Sequence, residues 1–317
     1  MDRIVDIATD GLHLSTLRGF LLVSQDHAEV GRIALDDVAA LIVHAHGVTW
    51  TTNLVIQLAE RGAIMVLCAA NHMPVALTMP ISGHHAQNAK MRAQWDAPRP
   101  LFKQLWKNIV VTKIKMQASL LAAHGHAEAN ALASIAGRVR SGDPDNLEAQ
   151  AARRYWQTLF GAHFRRDRAE EGANALLNYG YTVMRTTLAR SVVAAGLNPT
   201  IGLHHANRSN SFALVDDLIE PFRPLVDAVV WQMAEEAMPE GRALEVDSAA
   251  KQRLAALIAA DLDLQGATSP VSVAAQRLAQ SLAASFIANT PSLALFDMPS
   301  PLTWSAISRH VPDGAIQ

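Results

Sequence analysis

Residues 101–122 read LFKQLWKNIVVTKIKMQASLLA, and the period of this stretch decides the fold class. Leu101, Leu105, Ile109 and Val110 recur at the spacing of one helix face, and the pattern can run on through Gln117 to Ala122. Upstream, the apolar residues alternate or cluster in short runs instead. Residues 3–7 alternate, and Asp10-Gly11 is a hairpin signal leading into residues 12–15. Residues 19–23, 30–34 and 39–43 read as further strands. Thr52 is placed to cap a short helix ended by Gly62, and residues 63–67 read as a buried strand. The His72-Met73-Pro74 segment then turns into residues 75–78. Residues 81–100 are polar, with a histidine pair at His84-His85, and read as a linker that holds at most a helix over residues 86–95. Downstream, the spacing predicts helices over residues 127–139, 147–160, 173–194, 212–237, 249–262 and 272–287. The expected fold is α+β: a small β-rich domain over residues 1–80, the linker, and a larger all-α domain over residues 101–317.

Composition narrows the class. Of the 317 residues, 50% are apolar and 18% charged, which excludes a disordered chain and supplies ample core. No apolar run is long enough to span a bilayer, so no membrane partner is expected. The acidic, alternating start MDRIVDIATDG does not read as a secretory signal. A single cysteine, Cys68, excludes an internal disulfide and a cysteine-built zinc site, and a reducing cytoplasm is the expected location. The net charge of -2 taken alone argues against nucleic acid, but it hides segregation. Residues 1–88 carry 4 basic against 8 acidic side chains, residues 89–190 carry 16 against 8, and residues 191–317 carry 7 against 13. The middle third is therefore basic between two acidic thirds.

Three places gather ionisable residues. In residues 145–156, DNLEAQAARRYW, Asp145 and Glu148 have the spacing of a capping box that merely starts a helix, yet Glu148 is also a possible ligand. In residues 202–211, GLHHANRSNS, two adjacent histidines on a polar loop cannot both be core residues. That loop is rich in donors for a phosphate, or it is a plain surface turn. In residues 214–224, LVDDLIEPFRP, Asp217 and Glu220 share a helix face, and Pro221 should kink or end the helix beside them. The bland alternative there is a solvated face with a Glu220–Arg223 pair of little energetic value. Together, carboxylate, histidine and carboxylate from separate helical segments suit Mg²⁺ or Mn²⁺ better than zinc. A hard divalent cation beside a basic surface is equipment for phosphodiester chemistry.

The run GLNPTIGLHHANRSNSFALVDDLIEPFRP, residues 196–224, resembles the signature of the CRISPR-associated spacer integrase family, a Gly-x-x-His turn followed by a helix carrying Asp-Leu-x-Glu-x-Phe-Arg-Pro. Glu148 with Ala151, Ala152, Tyr155 and Trp156 is similar to the family's first ligand helix, and Asn174 through Tyr181 to the next one. Leu105-Trp106-Lys107 with Lys113-Ile114 and Gln117 resembles its opening helix in the form typical of type II systems. The resemblance covers essentially the whole chain, with His204 standing where the family usually has a hydrophobic residue. It implies metal ligands Glu148, His205 and Glu220, with Asp217 a further acid acting directly or through water. It implies metal-dependent transesterification, in which the 3′-hydroxyl of a captured DNA fragment attacks the edge of a CRISPR repeat. The basic third then gains candidate phosphate contacts at Lys113, Arg153, Arg154, Arg165, Arg166 and Arg185, with Asn207, Arg208 and Arg223 near the metal. Tyr155 and Tyr181 are read as packing residues rather than base-stacking ones. The implied assembly is a homodimer through the β-rich domain, with two dimers flanking a dimer of a small second adaptation protein in a heterohexameric complex on double-stranded DNA. The competing readings are a stand-alone metal-dependent nuclease acting on branched or repair DNA, and a non-catalytic DNA-binding scaffold.

Overall fold

The computed structural model describes residues 3–69, 74–81, 86–205, 210–264 and 266–309. Its first part comprises β1 (Arg3–Ile7), β2 (Leu12–Leu17), β3 (Phe20–Gln25), β4 (Ala28–Ala34), β5 (Val38–Val43), β6 (Thr49–Trp50), α1 (Thr52–Glu60), β7 (Ile64–Cys68) and β8 (Pro74–Thr78). These strands form two four-stranded sheets, ordered β1-β5-β7-β8 and β4-β3-β2-β6. The β2–β3 and β3–β4 hairpins turn on Arg18-Gly19 and Asp26-His27, all four at positive φ, the two-residue turn that suits strand twist. Asp10-Gly11 makes no hairpin, because β1 pairs parallel to β5 while β2 pairs with β3 and β6. Instead this turn is tied across to Gly47, whose N–H donates to Asp10 Oδ1 at 2.7 Å and whose carbonyl accepts from Gly11 N–H at 3.0 Å. The cap of α1 is Thr51, one residue before the expected Thr52: its hydroxyl accepts from Leu54 N–H at 3.3 Å.

Strand β5, VAALIV, is buried at every position, as a strand covered on both faces must be. Its alternation divides two cores. Leu41 and Val43 face a small core with Leu14, Leu21, Leu54 and Leu58. Ala40 and Ile42 face the large core built by the helices.

The rest is mostly helical: α2 (Gln87–Asp96), α3 (Arg99–Ala123), α4 (Glu128–Arg138), α5 (Leu147–Phe160), α6 (Ala173–Ala194), α7 (Ala213–Leu218), α8 (Arg223–Ala237), α9 (Ser248–Ala256), α10 (Val271–Ala288) and α11 (Pro301–Ser308). The architecture is thus α+β, a β-sheet region followed by a mostly helical one. Helix α6 runs through the centre, packed by α8, α9, α10 and β5, which is why its apolar residues occur all round rather than in one stripe. The helical part is not wholly α. A hairpin of β9 (Asp261–Leu264) and β10 (Ala267–Pro270) interrupts the expected helix over residues 249–262. Asp-Leu-Asp-Leu there alternates with period two, and Leu262 and Leu264 are the buried pair. Residues 81–100 hold α2, and its Gln94 is fully buried. Gln94 Nε2 donates to the carbonyls of Asn198 and Ile201 at 3.0 Å each, and its Oε1 accepts from Asn198 N–H at 2.8 Å. The segment read as a linker therefore braces the loop that leads into the histidine pair.

Candidate active site

Three elements deliver the acids and the histidine. Helix α5 starts at Leu147, and its first N–H groups are capped by Asp143 rather than Asp145. Asp143 Oδ1 accepts from Leu147 N–H at 2.9 Å and Oδ2 from Glu148 N–H at 3.0 Å. The chain reaches this geometry with Asp143 and Asn146 both at positive φ. Asp145 instead takes a two-pronged bond from Arg140, at 3.0 and 2.8 Å. The capping-box reading of residues 145 and 148 is thereby replaced, and the Glu148 side chain is left to face α3.

Pro221 breaks the expected helix over residues 212–237 into α7, a 3-10 turn (Glu220–Phe222) and α8. The break buries Glu220, 5% exposed, between two cations. Arg223 Nε lies 2.8 Å from Glu220 Oε1, and Lys113 Nζ lies 2.5 Å from Oε2. The same Lys113 Nζ lies 2.6 Å from Glu148 Oε1. Burial alone would push the Glu220 carboxyl up, but Arg223 and Lys113 overcome it and hold the group at about 2. Lys113 is itself buried at 8% exposure, and despite that burial Glu220 and Glu148 raise its pKa. It is therefore a buried bridge between two acids, not part of an open basic surface.

His205 comes from the loop before α7. Asp217, fully buried at the end of α7, organises that loop. Its Oδ2 accepts from Leu203 N–H at 2.5 Å and His204 N–H at 3.0 Å, and its Oδ1 accepts from His205 N–H at 3.3 Å. His205 Nδ1 meets the same Oδ1 at 2.5 Å, and this hydrogen bond raises the histidine's pKa. Both Asp217 oxygens are thus committed inside the protein, while the His205 ring is 44% exposed with Nε2 free of Asp217. Gly202 permits the tight turn, since a Cβ there would stand 2.6 Å from the His205 carbonyl oxygen and 2.8 Å from Asp217 Oδ2. The two histidines diverge: His204 stacks on Trp106, with centroids 4.6 Å apart and planes 4° apart, while His205 meets that ring edge-on at 82°.

The donor set fits a hard divalent cation. Glu220 Oε2 is buried and faces the Lys113 ammonium at 2.5 Å, and Glu148 Oε1 faces the same ammonium at 2.6 Å, so the two acids converge on one position that holds a positive charge. Among the described residues, no three His, Cys, Asp or Glu side chains enclose a metal position as they stand. Lys113 Nζ occupies the space between the two glutamates.

Beside Glu220 lies a cavity whose lining includes Arg166, Arg168, Arg185, Arg223, Tyr181 and the carboxylate of Asp216. Arg166 donates to Asn174 Oδ1 at 2.9 Å and Asn178 Oδ1 at 2.6 Å, and Arg185 pairs with Asp216, Nε to Oδ1 at 2.7 Å. Arg166 and Arg223 both sit over the Tyr181 ring, at 5.4 and 4.5 Å. Four guanidinium groups around one concavity, two of them paired with Asp216 and Glu220, leave a net positive lining suited to phosphate oxygens. Arg153, Arg154 and Arg165 lie on the exposed surface outside this cavity. Asn207 and Arg208 lie outside the described residues. Arg168, Asp143 and Gln94 belong to the neighbourhood although no sequence pattern singled them out, and Trp106, legible only through the resemblance of its helix, stacks on His204 there.

Tyr155 and Tyr181 are both buried, and both hydroxyls donate to Asp227, so they pack rather than await a base. Burial pushes the Asp227 carboxyl up to about 7 despite those two bonds and Arg223 and Arg166 nearby. Between the ordinary carboxylate value and 7, the unfolded chain has released this proton and the folded chain has not, so stability falls as pH rises. Asp227→Asn should remove that slope. Urea unfolding at about pH 5 and about pH 7.5 tests this. The parent should lose stability relative to the variant at the higher pH, and an equal difference at both would refute the assignment.

Residues 5–254 match the family model of the CRISPR associated protein Cas1. The CRISPR-associated endonuclease Cas1 of Neisseria meningitidis serogroup C is 39% identical over 228 residues, covering 72% of this chain and 74% of that protein. The CRISPR-associated endonuclease Cas1 2 of Pyrobaculum aerophilum is 30% identical over 295 residues, covering 87% and 97%. Among solved structures, a casposase bound to integration product aligns with TM-score 0.76 at 16% identity over 98% of this chain and 94% of that one. A chain of a Cas6-RT-Cas1–Cas2 complex aligns with TM-score 0.75 at 18% identity over 93% and 36%. The structural matches speak for the fold alone.

Proposed function

The chain belongs to the Cas1 family of CRISPR-associated endonucleases, and on that premise we propose that it joins 3′-hydroxyl ends of captured double-stranded DNA into the CRISPR repeat array by transesterification. As a member it is a metal-dependent DNA nuclease and integrase acting in CRISPR adaptation, a form of antiviral defence. The observation that carries the detailed reading is the convergence of Glu148 and Glu220 on one cation position, with His205 presented beside them. Glu148, His205 and Glu220 are the ligands, and the oxygen-rich set selects Mg²⁺ or Mn²⁺. Asp217 is a positioning residue: it fixes the His205 ring and tautomer through Nδ1 and leaves Nε2 to bind. A bound divalent ion would neutralise phosphate charge and favour the deprotonated attacking hydroxyl. Arg166, Arg185 and Arg223 hold a DNA phosphate next to the reacting one. Arg153, Arg154 and Arg165 contact the duplex backbone, a mode that tolerates any sequence. Asn207 and Arg208 position the target strand.

The two-sheet region is the homodimer surface, and the small second adaptation protein joins two such dimers; the Cas1–Cas2 complex among the fold neighbours supports this partner. The residue pattern from Leu105 to Gln117 supports a type II system. No helix among the described residues is long and apolar enough to cross a membrane, in keeping with action on cytoplasmic DNA.

The test is a plasmid carrying a CRISPR repeat, mixed with a short duplex bearing free 3′-hydroxyls, with and without the small partner. Joining at the repeat edges that needs the partner, stops with EDTA and weakens steeply with salt is the expected result. Cutting of branched DNA with no joining under any condition would point to a stand-alone nuclease instead.

A further inference from the structure

Lys113 Nζ sits 2.6 Å from Glu148 Oε1 and 2.5 Å from Glu220 Oε2, the oxygens assigned above to a metal. A Mg²⁺ or Mn²⁺ ion takes such oxygens at roughly 2.0–2.2 Å. An ammonium and a divalent ion cannot both face the same two oxygens at these distances without sharing one small buried volume. Charge points the same way. The two glutamates carry two negative charges, and Lys113 and Arg223 already neutralise them. A divalent ion added with the ammonium in place would leave a buried excess of two positive charges over the glutamates, or one when the buried Asp217 beside His205 is counted, which is costly without a further anion. Lys113 is only 8% exposed and sits on the long helix α3, so parting from the two glutamates would leave its buried ammonium without a counter-charge. It needs another anion close by. Beyond Glu220 the described surroundings hold a cavity with four arginines against one carboxylate, Asp216, which pairs with Arg185, and a DNA phosphate would lie there.

We propose that Lys113 is a resident cation that competes with the divalent metal for Glu148 and Glu220, and that an incoming DNA phosphate, by receiving the displaced ammonium, couples metal loading to DNA binding. The free protein is then held in a weakly metallated form, and DNA and metal each tighten the other by the same factor. The ammonium moves from carboxylates to phosphate with no bond made or broken. This rests on the ligand assignment of Glu148 and Glu220.

The experiment titrates Mn²⁺ into the full chain and follows free Mn²⁺ by electron paramagnetic resonance, with and without a short DNA duplex, subtracting the Mn²⁺ held by the duplex alone. In the parent, DNA should tighten Mn²⁺ binding by about tenfold or more, the usual range for coupled ligands. Lys113→Met should bind Mn²⁺ about tenfold more tightly than the parent without DNA, and gain little further when DNA is added. Lys113→Gln, which keeps a polar head without the charge, provides a second variant, and melting curves show that each is folded. No tightening by DNA in the parent, or a Lys113→Met protein that binds Mn²⁺ no better than the parent, overturns the proposal. Glu148→Gln and Glu220→Gln separate the two levels. If both bind Mn²⁺ like the parent, the ligand assignment itself fails and this inference falls with it. If they lose Mn²⁺ while Lys113→Met is unchanged, the ligands stand and only the competition is wrong.

Discussion

His205→Ala is expected to lose DNA joining by about a thousandfold, the several kcal/mol that a misplaced metal would cost the transition state. The same protein should melt within about 2 °C of the parent, because the substitution is at a partly exposed loop position. The reason lies in how the loop is built. The His205 ring is 44% exposed and contributes little to the core, while Asp217 holds the loop mainly through backbone N–H groups of Leu203, His204 and His205. Truncating the ring removes a ligand and leaves those bonds intact. The neighbouring His204→Ala provides the contrast. Its ring stacks on Trp106 and does not touch Asp217, so its loss should slow joining by less than about tenfold, the scale of one aromatic pair. The measurement is strand joining in Mg²⁺ and in Mn²⁺ alongside a thermal melt. A folded His205→Ala protein that joins DNA at the parent's rate would remove His205 from the ligand set, and a reversed order of the two variants would give the role to His204.

What the sequence shows and hides follows from the range of the forces involved. Period-two and period-3.6 patterns are local, so α5 and α6 begin and end at the expected residues, 147–160 and 173–194. Pro221 is equally local, and the break it imposes is where Glu220 is found. Errors arise where a distant partner decides. Asp10-Gly11 has a hairpin's residues, but β1 gains more by pairing with the buried β5 than with β2. The Asp145–Glu148 spacing has a capping box's form, yet Asp143 reaches the same N–H groups from a left-handed turn, and Arg140 takes Asp145. Residues 261–264 alternate plainly, but the alanine-rich helix before them masks the change of period. At the site, the resemblance names Glu148, His205 and Glu220, but the place of Lys113 between two of them is not legible in the sequence. Lys113 looks like any lysine of a basic helix, and only the approach of α5 and the Glu220 turn to α3 makes it a buried bridge. Gln94 lies in a segment whose polarity suggests a linker, although its polar atoms are spent on the Asn198–Ile201 backbone.

Glu220→Ala should destabilise the protein by roughly 3–5 kcal/mol at neutral pH, the cost of stripping a partner from buried charge. A sequence view would predict that this change, like His205→Ala, leaves the fold untouched. The packing says otherwise. Glu220 is 5% exposed, and Lys113 and Arg223, both largely buried, are paired to it from two sides. Removing the carboxylate leaves Arg223 without its partner and Lys113 with Glu148 alone. Glu220→Gln keeps an oxygen for Arg223, so it should cost less than the alanine change while abolishing joining equally, because an amide is a poor ligand for a hard cation. The pH dependence identifies the cause. The Glu220 carboxyl is held at about 2 in the fold, below the ordinary carboxylate value. Its contribution is therefore complete above the unfolded value and is lost as pH falls toward 2. The gap between parent and Glu220→Ala in urea unfolding should be constant from about pH 8 to about pH 5 and should close below about pH 4. This slope has the opposite sign to that of Asp227, whose raised carboxyl lowers stability as pH rises, so the two residues cannot be confused in the same titration. A gap under about 1 kcal/mol at pH 7 would place Glu220 among ordinary solvated ion pairs. The buried two-cation cradle inferred for the metal-free site would then not exist.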